Sequence, residues 1–364
     1  MIKDFDRKLI LEDGTEIMGY SFGAKCEKVC EIVFNTSMVG YQEILSDPSY
    51  TYQAVVMTYP LIGNYGMADE DYETVTPTIG ALIVSENNNE PSNFRSRATL
   101  SDVMKKYEIP GISGVDTRKL TRHIRRDGMC KALICDVEIP TEEGLAKLNK
   151  TEIPKDAVSK VTSKGVFTKE VPNAPIHVVA IDCGMKENIV RSFNKRNCSV
   201  TVVPYDATAH FIESLSPDGI FISNGPGDPN DVPQLIKTVS ELHGKYPMFG
   251  ICLGHQIISL SYGAKCYKLK FGHRGGNHPV KNLATGKIEI TSQNHSYAVD
   301  TESLKNTPLS VTHINLLDNT VEGVENKEDK VFSVQYHPES APGPEDSTYL
   351  FDKFIKMMEE GKNA

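Results

Sequence analysis

The second half of the chain alternates short apolar runs with helical patterns of apolar residues. From residue 176 onward these segments fall at 176–181 (strand), 186–195 (helix), 199–203 (strand), 219–223 (strand), 232–242 (helix), around 248 (strand) and after 252 (helix). This alternation predicts an α/β fold with a largely parallel sheet covered by helices, and a functional site at the carboxyl ends of the strands. Several short strands are predicted over 287–335 and a closing helix over 348–359.

The first part of the chain has a different pattern, which predicts a separate N-terminal mixed α/β domain over residues 1–140. Its segments lie at 8–11, 32–35, 54–58, 81–84 and 132–136 (strands) and at 100–107 and 118–126 (helices). Residues 141–175 combine a short helical pattern with a stretch rich in Ser, Lys, Thr and Pro, which is typical of a linker. The second domain then covers residues 176–364.

One pentapeptide in the second domain carries the strongest chemical signal. Residues 250–254 read Gly-Ile-Cys-Leu-Gly, between a short apolar run and a helical pattern. A strand, a sharp glycine-flanked turn and a helix predict a nucleophile elbow with sulfur as the nucleophile. At the helix N-terminus, backbone N–H groups and the helix dipole favour the thiolate form of Cys252. The alternative is a buried structural cysteine beside a turn.

A histidine and a carboxylate follow a later strand. Residues 334–340 read Val-Gln-Tyr-His-Pro-Glu-Ser, and residues 331–335 alternate as a strand does, so His337 falls just past a strand end. Glu339 lies two positions further, close enough to orient the imidazole. Together with Cys252 they form the nucleophile, base and orienting group of acyl-transfer enzymes. A purely structural histidine is the alternative.

A glycine-rich loop completes the predicted site. Residues 224–227 read Asn-Gly-Pro-Gly, directly after the predicted strand at 219–223. An N–H group of this loop, from Gly225 to Gly227, and the N–H of Leu253 are expected to stabilise an oxyanion. An ordinary turn is the alternative. Phosphate binding is disfavoured, because neither a Walker motif nor Gly-x-Gly-x-x-Gly is present here.

Three motifs in this order, Ser-Asn-Gly-Pro-Gly-Asp-Pro, Phe-Gly-Ile-Cys-Leu-Gly-His-Gln and His-Pro-Glu, resemble the triad-type (class I) glutamine amidotransferases. The segments at 34–50, 58–64, 116–122 and 270–280 narrow the resemblance to the small, glutamine-hydrolysing subunit family of carbamoyl-phosphate synthetases. The resemblance extends over nearly the whole chain, from residue 11 to residue 351, and is weakest over 137–175.

The resemblance implies a glutaminase whose thioester forms on Cys252, with His337 transferring protons and Glu339 orienting the ring. It also implies glutamine binding by five further residues, namely Ser49 from the N-terminal domain, Gln256, Asn294, Ser296 and Tyr297. Bacterial members of the family usually read Asn-His-Gly-Phe where this chain has Asn-His-Ser-Tyr at 294–297. A serine can replace that glycine only if the backbone there tolerates a side chain. Without the resemblance, glutamine binding is no better supported than a structural role for either residue, namely a turn residue for Ser49 and a helix-surface residue for Gln256.

The resemblance further implies a large partner subunit that uses ATP and Mg²⁺ to make carbamoyl phosphate from bicarbonate, for arginine or pyrimidine biosynthesis. Because no Walker A motif and no region of ATP-grasp size is found, this chain itself is expected to hold no cofactor and no metal. Two other classes of function remain open. A cysteine hydrolase or peptidase would act alone and without residues 1–140, and a silent interaction protein would lack Cys252 or His337. An amidotransferase of another synthetase is disfavoured by the N-terminal domain.

Composition adds exclusions. A net charge of −9 argues against attraction to nucleic acid or anionic membranes. No apolar run reaches membrane-spanning length and no signal peptide is recognised, so a cytoplasmic location is expected. Eight cysteines without a Cys-x-x-Cys pair predict reduced thiols, and the pairs Cys26/Cys30 and Cys130/Cys135 lie in strand-like surroundings unsuited to a metal. The basic residues over 118–126 are interpreted as a solvated helix face.

Overall fold

The computed structural model of the chain describes residues 4–362, which form two compact units divided between Pro154 and Lys155. The division falls within the stretch predicted as a linker. Both units mix helices with strands, as predicted. No helix within the described residues is long and apolar enough to cross a membrane.

The first unit is built around a closed seven-stranded barrel. In chain order the strands of this unit are β1 (Arg7–Leu11), β2 (Glu16–Gly23), β3 (Lys28–Asn35), β4 (Gln53–Met57), β5 (Leu61–Ile62), β6 (Ala81–Ile83), β7 (Glu86–Asn87), β8 (Pro110–Ser113) and β9 (Lys131–Asp136). The barrel order is β1-β2-β8-β6-β4-β3-β9, and it closes because β1 pairs with both β2 and β9. Strands β5 and β7 form a separate pair.

The helices of the first unit pack their apolar residues against the barrel. They are α1 (Tyr41–Ser46), α2 (Leu100–Lys106), α3 (Thr117–Asp127) and α4 (Thr141–Lys150), with 3₁₀ helices at Pro48–Tyr50 and Asp69–Asp71. Leu120 and Ile124 of α3 are buried one turn apart, whereas its basic residues point to solvent. The exposure of these basic residues agrees with the solvated face predicted for this helix.

The predicted strands and helices of this unit are found, and two barrel strands were not predicted. Strand β2 reads Glu-Ile-Met-Gly-Tyr-Ser-Phe-Gly, and strand β8 begins with Pro110 and Gly111. Glycine and proline are unfavourable in isolated strands, so neither sequence carries a strong strand signal. Both segments adopt strand conformation because they pair with each other in the barrel.

Residues 141–175, predicted as a linker, contribute secondary structure to both units. Helix α4 belongs to the first unit, where Leu148 is buried against Ile10 and Leu133. Helix α5 (Ala157–Val161) and strand β10 (Phe167–Lys169) belong to the second unit. Buried residues of α4 and α5 attach this stretch to the two units, whereas β10, whose side chains are exposed, is held by its pairing with β12.

The second unit contains one ten-stranded sheet. Its further strands are β11 (Ile176–Asp182), β12 (Cys198–Pro204), β13 (Gly219–Ile222), β14 (Met248–Ile251), β15 (Cys266–Asn282), β16 (Ile288–Val299), β17 (Ser310–Asn315), β18 (Val321–Asn326) and β19 (Val331–Val334). The order is β10-β12-β11-β13-β14-β19-β18-β17-β15-β16. Pairing is parallel across β12-β11-β13-β14-β19 and antiparallel elsewhere. The sheet is therefore mixed rather than largely parallel.

The antiparallel part includes a long hairpin of β15 and β16, and no strand was predicted over 266–282. Strand β15 reads Cys-Tyr-Lys-Leu-Lys-Phe-Gly-His-Arg-Gly-Gly-Asn-His-Pro-Val-Lys-Asn. Its glycines and charged residues hide any alternation of apolar positions, and its register with β16 shifts twice. Glycine inside a strand often marks such an irregularity.

Helices cover both faces of the parallel strands. The remaining helices are α6 (Glu187–Asn194), α7 (Ala209–Ser214), α8 (Pro233–Glu241), α9 (Leu253–Ser261), α10 (Thr301–Leu304) and α11 (Tyr349–Lys362), with a 3₁₀ helix at Pro229–Asp231. On one face, Phe193 of α6 packs edge-on against Phe221 of β13 and Phe351 of α11. On the other, Leu235 of α8 and Ile257 of α9 are fully buried. The open region is thus at the carboxyl ends of the strands.

Candidate active site

Cys252 occupies a tight turn between β14 and α9. Its backbone angles are φ 54° and ψ −102°, an uncommon conformation for a residue other than glycine, and its side chain is buried. The two flanking glycines are required by close packing. A Cβ atom on Gly254 would lie 2.1 Å from the carbonyl oxygen of Ile222, and one on Gly250 would lie 2.7 Å from the Gly254 carbonyl. The turn therefore holds the sulfur in one place at the start of a helix.

His337 lies three residues beyond the end of β19, next to Cys252. The N–H of His337 donates to the Ser292 carbonyl at 2.9 Å, and the N–H of Cys252 donates to the Val334 carbonyl at 2.9 Å. Nδ1 of His337 donates to Oε1 of Glu339 at 2.7 Å. The other ring nitrogen, Nε2, interacts with the sulfur of Cys252. This contact is looser than a standard hydrogen bond, because Nε2 has no partner of hydrogen-bond geometry among residues 4–362. Such contacts often tighten when substrate binds.

The charges around His337 favour its protonated form. Burial opposes a charge on the ring, but the Glu339 carboxylate and the Cys252 sulfur outweigh it and raise the pKa of His337 to about 10. The ring is therefore an imidazolium at neutral pH. A thiolate–imidazolium pair can attack an acyl carbon and then give a proton to the departing group.

A buried lysine, which the sequence did not single out, completes this charge cluster. Nζ of Lys186 donates to Oε1 of Glu339 at 2.8 Å and to the carbonyl of Ala341 at 2.5 Å. Both charged side chains are essentially inaccessible to solvent. Burial alone would raise the pKa of Glu339, but Lys186 and His337 together hold it well below its usual range. Lys186 thus keeps the carboxylate ionised and in place.

Lys186→Met is expected to lower the free energy of unfolding by about 3 kcal/mol, because it removes one partner of a buried ion pair. The stabilisation from Glu339 is complete above its ordinary pKa and is lost as pH falls through the lower folded value. Without Lys186 the folded pKa of Glu339 rises, so the acid limb of the pH–activity profile should move to higher pH. Urea unfolding and a pH profile of glutamine hydrolysis measure both effects. The exposed Lys195→Met is the control, and an unmoved acid limb would contradict this role.

Asn224 connects the end of β13 to the loop that carries Lys186. Oδ1 of Asn224 accepts the N–H of Lys186 at 3.2 Å, and Nδ2 donates to the carbonyl of Gly184 at 3.0 Å. The Asp182 carboxylate accepts the next N–H groups of the same loop, from Gly184 and Met185. The only sequence signal for these positions was that residues 182–186 follow a central strand, on the side where catalytic loops gather.

The predicted oxyanion loop follows β13 and approaches the start of α9. A Cβ atom on Gly225 would lie 2.3 Å from the carbonyl of Cys183 and 2.8 Å from the Leu253 side chain, so only glycine fits there. Gly227 has φ +90°, a left-handed conformation that glycine adopts without strain. The Leu253 N–H is the first of α9, and the first N–H groups of a helix lack partners within it.

The predicted glutamine-binding residues of the second unit lie on α9 and β16, around the sulfur. Sγ of Cys252 lies 3.5 Å from the carbonyl of Asn294. Nε2 of Gln256 donates to the carbonyl of Tyr297 at 3.0 Å, and Gln256 is buried, so the helix-surface alternative is wrong. Ser296 is not among the residues with positive φ, and a side chain is therefore tolerated there. Its hydroxyl accepts from Nη2 of Arg274 at 2.5 Å.

Ser49 belongs to the first unit. It lies in the 3₁₀ helix Pro48–Tyr50, and its N–H donates to Oδ1 of Asp47 at 2.9 Å. The side chain is buried. Its contact with glutamine stays a prediction.

Comparison with known proteins first defines the class and then the family. Residues 179–357 match the family described as glutamine amidotransferase class-I, and residues 9–134 match the family described as carbamoyl-phosphate synthase small chain, CPSase domain. The chain is 52% identical over 356 residues to the carbamoyl phosphate synthase small chain of Staphylococcus saprophyticus, covering 98% of this chain and 97% of that relative. It therefore belongs to the carbamoyl-phosphate synthase small chain family.

Relatives from other bacteria are similarly close over their full length. The small chain of Bacillus cereus (strain ATCC 14579) is 53% identical over 356 residues, covering 98% of this chain and 97% of the relative. That of Fusobacterium nucleatum is 52% identical over 355 residues, covering 98% and 99%. The match extends through both units, so the N-terminal unit is part of what defines the family. The predicted family is confirmed.

Proposed function

We propose that this chain hydrolyses glutamine to glutamate and ammonia and supplies the ammonia to a large carbamoyl-phosphate synthase chain. The observation that carries the proposal is the buried cluster of Cys252, His337, Glu339 and Lys186, within a chain that matches the small-chain family over both units. A silent interaction protein has no need of an ionised His–Glu pair beside a strained cysteine turn.

In the proposed reaction, the thiolate of Cys252 attacks the side-chain amide carbon of glutamine, and a C–S bond forms. The imidazolium of His337 gives its proton to the departing ammonia as the C–N bond breaks. The neutral ring then takes a proton from water, whose oxygen attacks the thioester and releases glutamate. Glu339 holds the ring with Nδ1 protonated, so that Nε2 exchanges the proton. The turn at Cys252 acts as a nucleophile elbow at the carboxyl end of β14.

The tetrahedral intermediates carry negative charge on the former amide oxygen. We assign its stabilisation to the N–H of Leu253, the first of α9, and to an N–H of the Gly225–Gly227 loop. The substrate would lie along residues 294–297 of β16, beside Gln256. The hydroxyl of Ser296 already accepts a hydrogen bond from Arg274, so Ser296 would contact the substrate through its main-chain groups. Ser49 would add a contact from the first unit.

The remaining chemistry belongs to the partner. The name of the small-chain family implies a large partner chain. Bicarbonate activation needs ATP and Mg²⁺, and this sequence has no Walker motif that would bind the nucleotide. Residues 4–154 of the first unit carry no catalytic cluster like that of the second unit, so we assign this unit to docking of the large chain. Carbamoyl phosphate made by the assembly would serve arginine or pyrimidine biosynthesis in the cytoplasm.

The test is glutamine hydrolysis by the whole chain, alone and with its large partner, ATP and bicarbonate. If the partner selects the competent conformation, turnover should rise by the inverse of the fraction populated in the free chain. Carbamoyl phosphate should form only in the complete mixture. No glutaminase activity in either condition would contradict the proposal. Equal turnover in both, with peptide hydrolysis by the chain alone, would favour an independent cysteine hydrolase instead.

A further inference from the structure

A buried cluster of metal-ligating side chains lies in the antiparallel part of the sheet. None of its three side chains takes part in a chemical step of the proposed mechanism, although His295 belongs to the stretch 294–297 proposed to line the substrate. His273 of β15 and His295 of β16 are direct cross-strand partners, and Glu322 of β18 faces both. One donor atom from each lies within 4.8 Å of the others. All three residues are at least nine-tenths buried. They join three strands of the antiparallel part of the sheet.

Both ring nitrogens of His295 lie within hydrogen-bond distance of a neighbouring residue of β16. Nδ1 lies 2.7 Å from the carbonyl of Tyr297, and Nε2 lies 3.1 Å from Oε1 of Gln293, so both neighbours are acceptors. When Nδ1 donates to the main-chain carbonyl, Nε2 of a ring with one proton keeps a lone pair, and this lone pair faces the Gln293 side-chain amide.

The ring of His273 is oriented in a similar way by a carboxylate. Nε2 lies 2.8 Å from Oδ2 of Asp318, while Nδ1 lies 3.7 Å from Oε1 of Glu322, too far for a hydrogen bond. Oε1 of Glu322 accepts from Asn315, and Oε2 has no partner in the described part of the chain. Nδ1 of His273 is likewise without one among those residues.

We propose that His273, His295 and Glu322 form a binding site for a divalent transition-metal ion of the Zn²⁺ class. Two imidazoles and one carboxylate are a ligand set that Zn²⁺ accepts, with a fourth position left for water. Metal-bound histidines almost always donate their other N–H to a carboxylate or a backbone carbonyl, and both rings do so here. A tetrahedral ion would draw the ligand atoms from within 4.8 Å of one another to separations of roughly 3.3 Å.

Charge around the cluster also suits a cation. Asp318 and Glu322 supply two carboxylates, whereas the guanidinium of Arg274 opposes them and is directed to the Phe271 carbonyl and the Ser296 hydroxyl.

The experiment uses the whole chain carrying Cys252→Ser, which removes the thiolate that could bind metal in the proposed glutaminase site. Titration with Co²⁺ alone is followed by its visible absorption, and with Zn²⁺ alone by calorimetry. One ion per chain with the intense bands of four-coordinate Co²⁺ is expected. Glu322→Gln and His295→Asn should each weaken binding by at least about 100-fold, and Asp318→Asn by about 10–100-fold. His177→Asn, a histidine on β11, is the matched control and should bind as before.

Circular dichroism checks that each variant is folded. Asp318 is partly exposed, so its substitution keeps the test available if a buried variant fails to fold. Absence of saturable binding by the folded Cys252→Ser chain would overturn the proposal. Equal affinity in the Glu322→Gln, Asp318→Asn and control chains would overturn it as well.

Discussion

Cys252→Ser is expected to lower glutamine hydrolysis by on the order of 10⁴-fold or more, because removing the nucleophile of a catalytic triad has effects of this size. A serine hydroxyl is far less ionised than a thiol at neutral pH, so the variant lacks a comparable nucleophile. Carbamoyl phosphate synthesis from free ammonia by the complex with the large partner should persist, since that chemistry is assigned to the other chain. Steady-state assays with glutamine and with ammonium salts measure the two activities.

Cys266→Ser is the matched control for that experiment. Cys266 begins β15, and burial raises the pKa of its thiol to about 12, so it has no thiolate to contribute. This variant should retain both activities. Substantial glutaminase turnover by Cys252→Ser would remove Cys252 as the nucleophile. Loss of ammonia use by a folded Cys252→Ser complex would show that the two reactions are not divided between the chains as proposed.

His337→Asn is expected to be as damaging as loss of the nucleophile, while Glu339→Gln should be at least about tenfold less severe. Loss of the imidazole removes the proton-transfer group of both half-reactions, whereas loss of the orienting carboxylate leaves the ring present but free to adopt the wrong tautomer. Kinetics of glutamine hydrolysis under saturating substrate compare the two variants. A larger loss for Glu339→Gln would contradict the assigned roles.

Stability measurements separate the catalytic effect of Glu339 from its structural one. The Glu339 carboxylate is shared by His337 and Lys186, so a neutral glutamine leaves two buried cations without their common partner. Urea unfolding of Glu339→Gln should therefore show a clear loss of stability. His337→Asn leaves the Lys186–Glu339 pair intact and should be less destabilising. The order of the two variants in stability is thus expected to be opposite to their order in activity.

Much of the second unit and its reactive groups was predictable, because the relevant signals are local. A buried strand needs a run of apolar residues, and the runs at 176–181, 219–223 and 248–251 all became strands of the sheet. The turn at Cys252 was predictable for a similar reason, since close approach to Ile222 and to the following helix excludes any side chain at Gly250 or Gly254. His337 and Glu339 are two residues apart, so their contact follows from short-range geometry.

Other features depended on tertiary structure, because their partners are far apart in sequence. Lys186 and Glu339 are separated by 153 positions, and no local pattern marks a lysine that will be buried against a carboxylate. Strand β15 has few apolar residues and is held by its pairing with β16 and β17. The barrel of the first unit also needs β2 and β8, which connect β1 to β6 and whose sequences favour strands weakly.

The sequence by itself therefore determined the apolar strands, the helices that cover them and the chemical identity of the reactive groups, since burial and turn geometry act over a few residues. Tertiary structure alone decided which charged side chains form buried ion pairs, as Lys186 does with Glu339. It also decided which polar side chains from different strands lie together, as His273, His295 and Glu322 do. The physical reason is that a buried polar group is stable only with a specific partner, and that partner is supplied by whichever strand or loop the fold brings beside it.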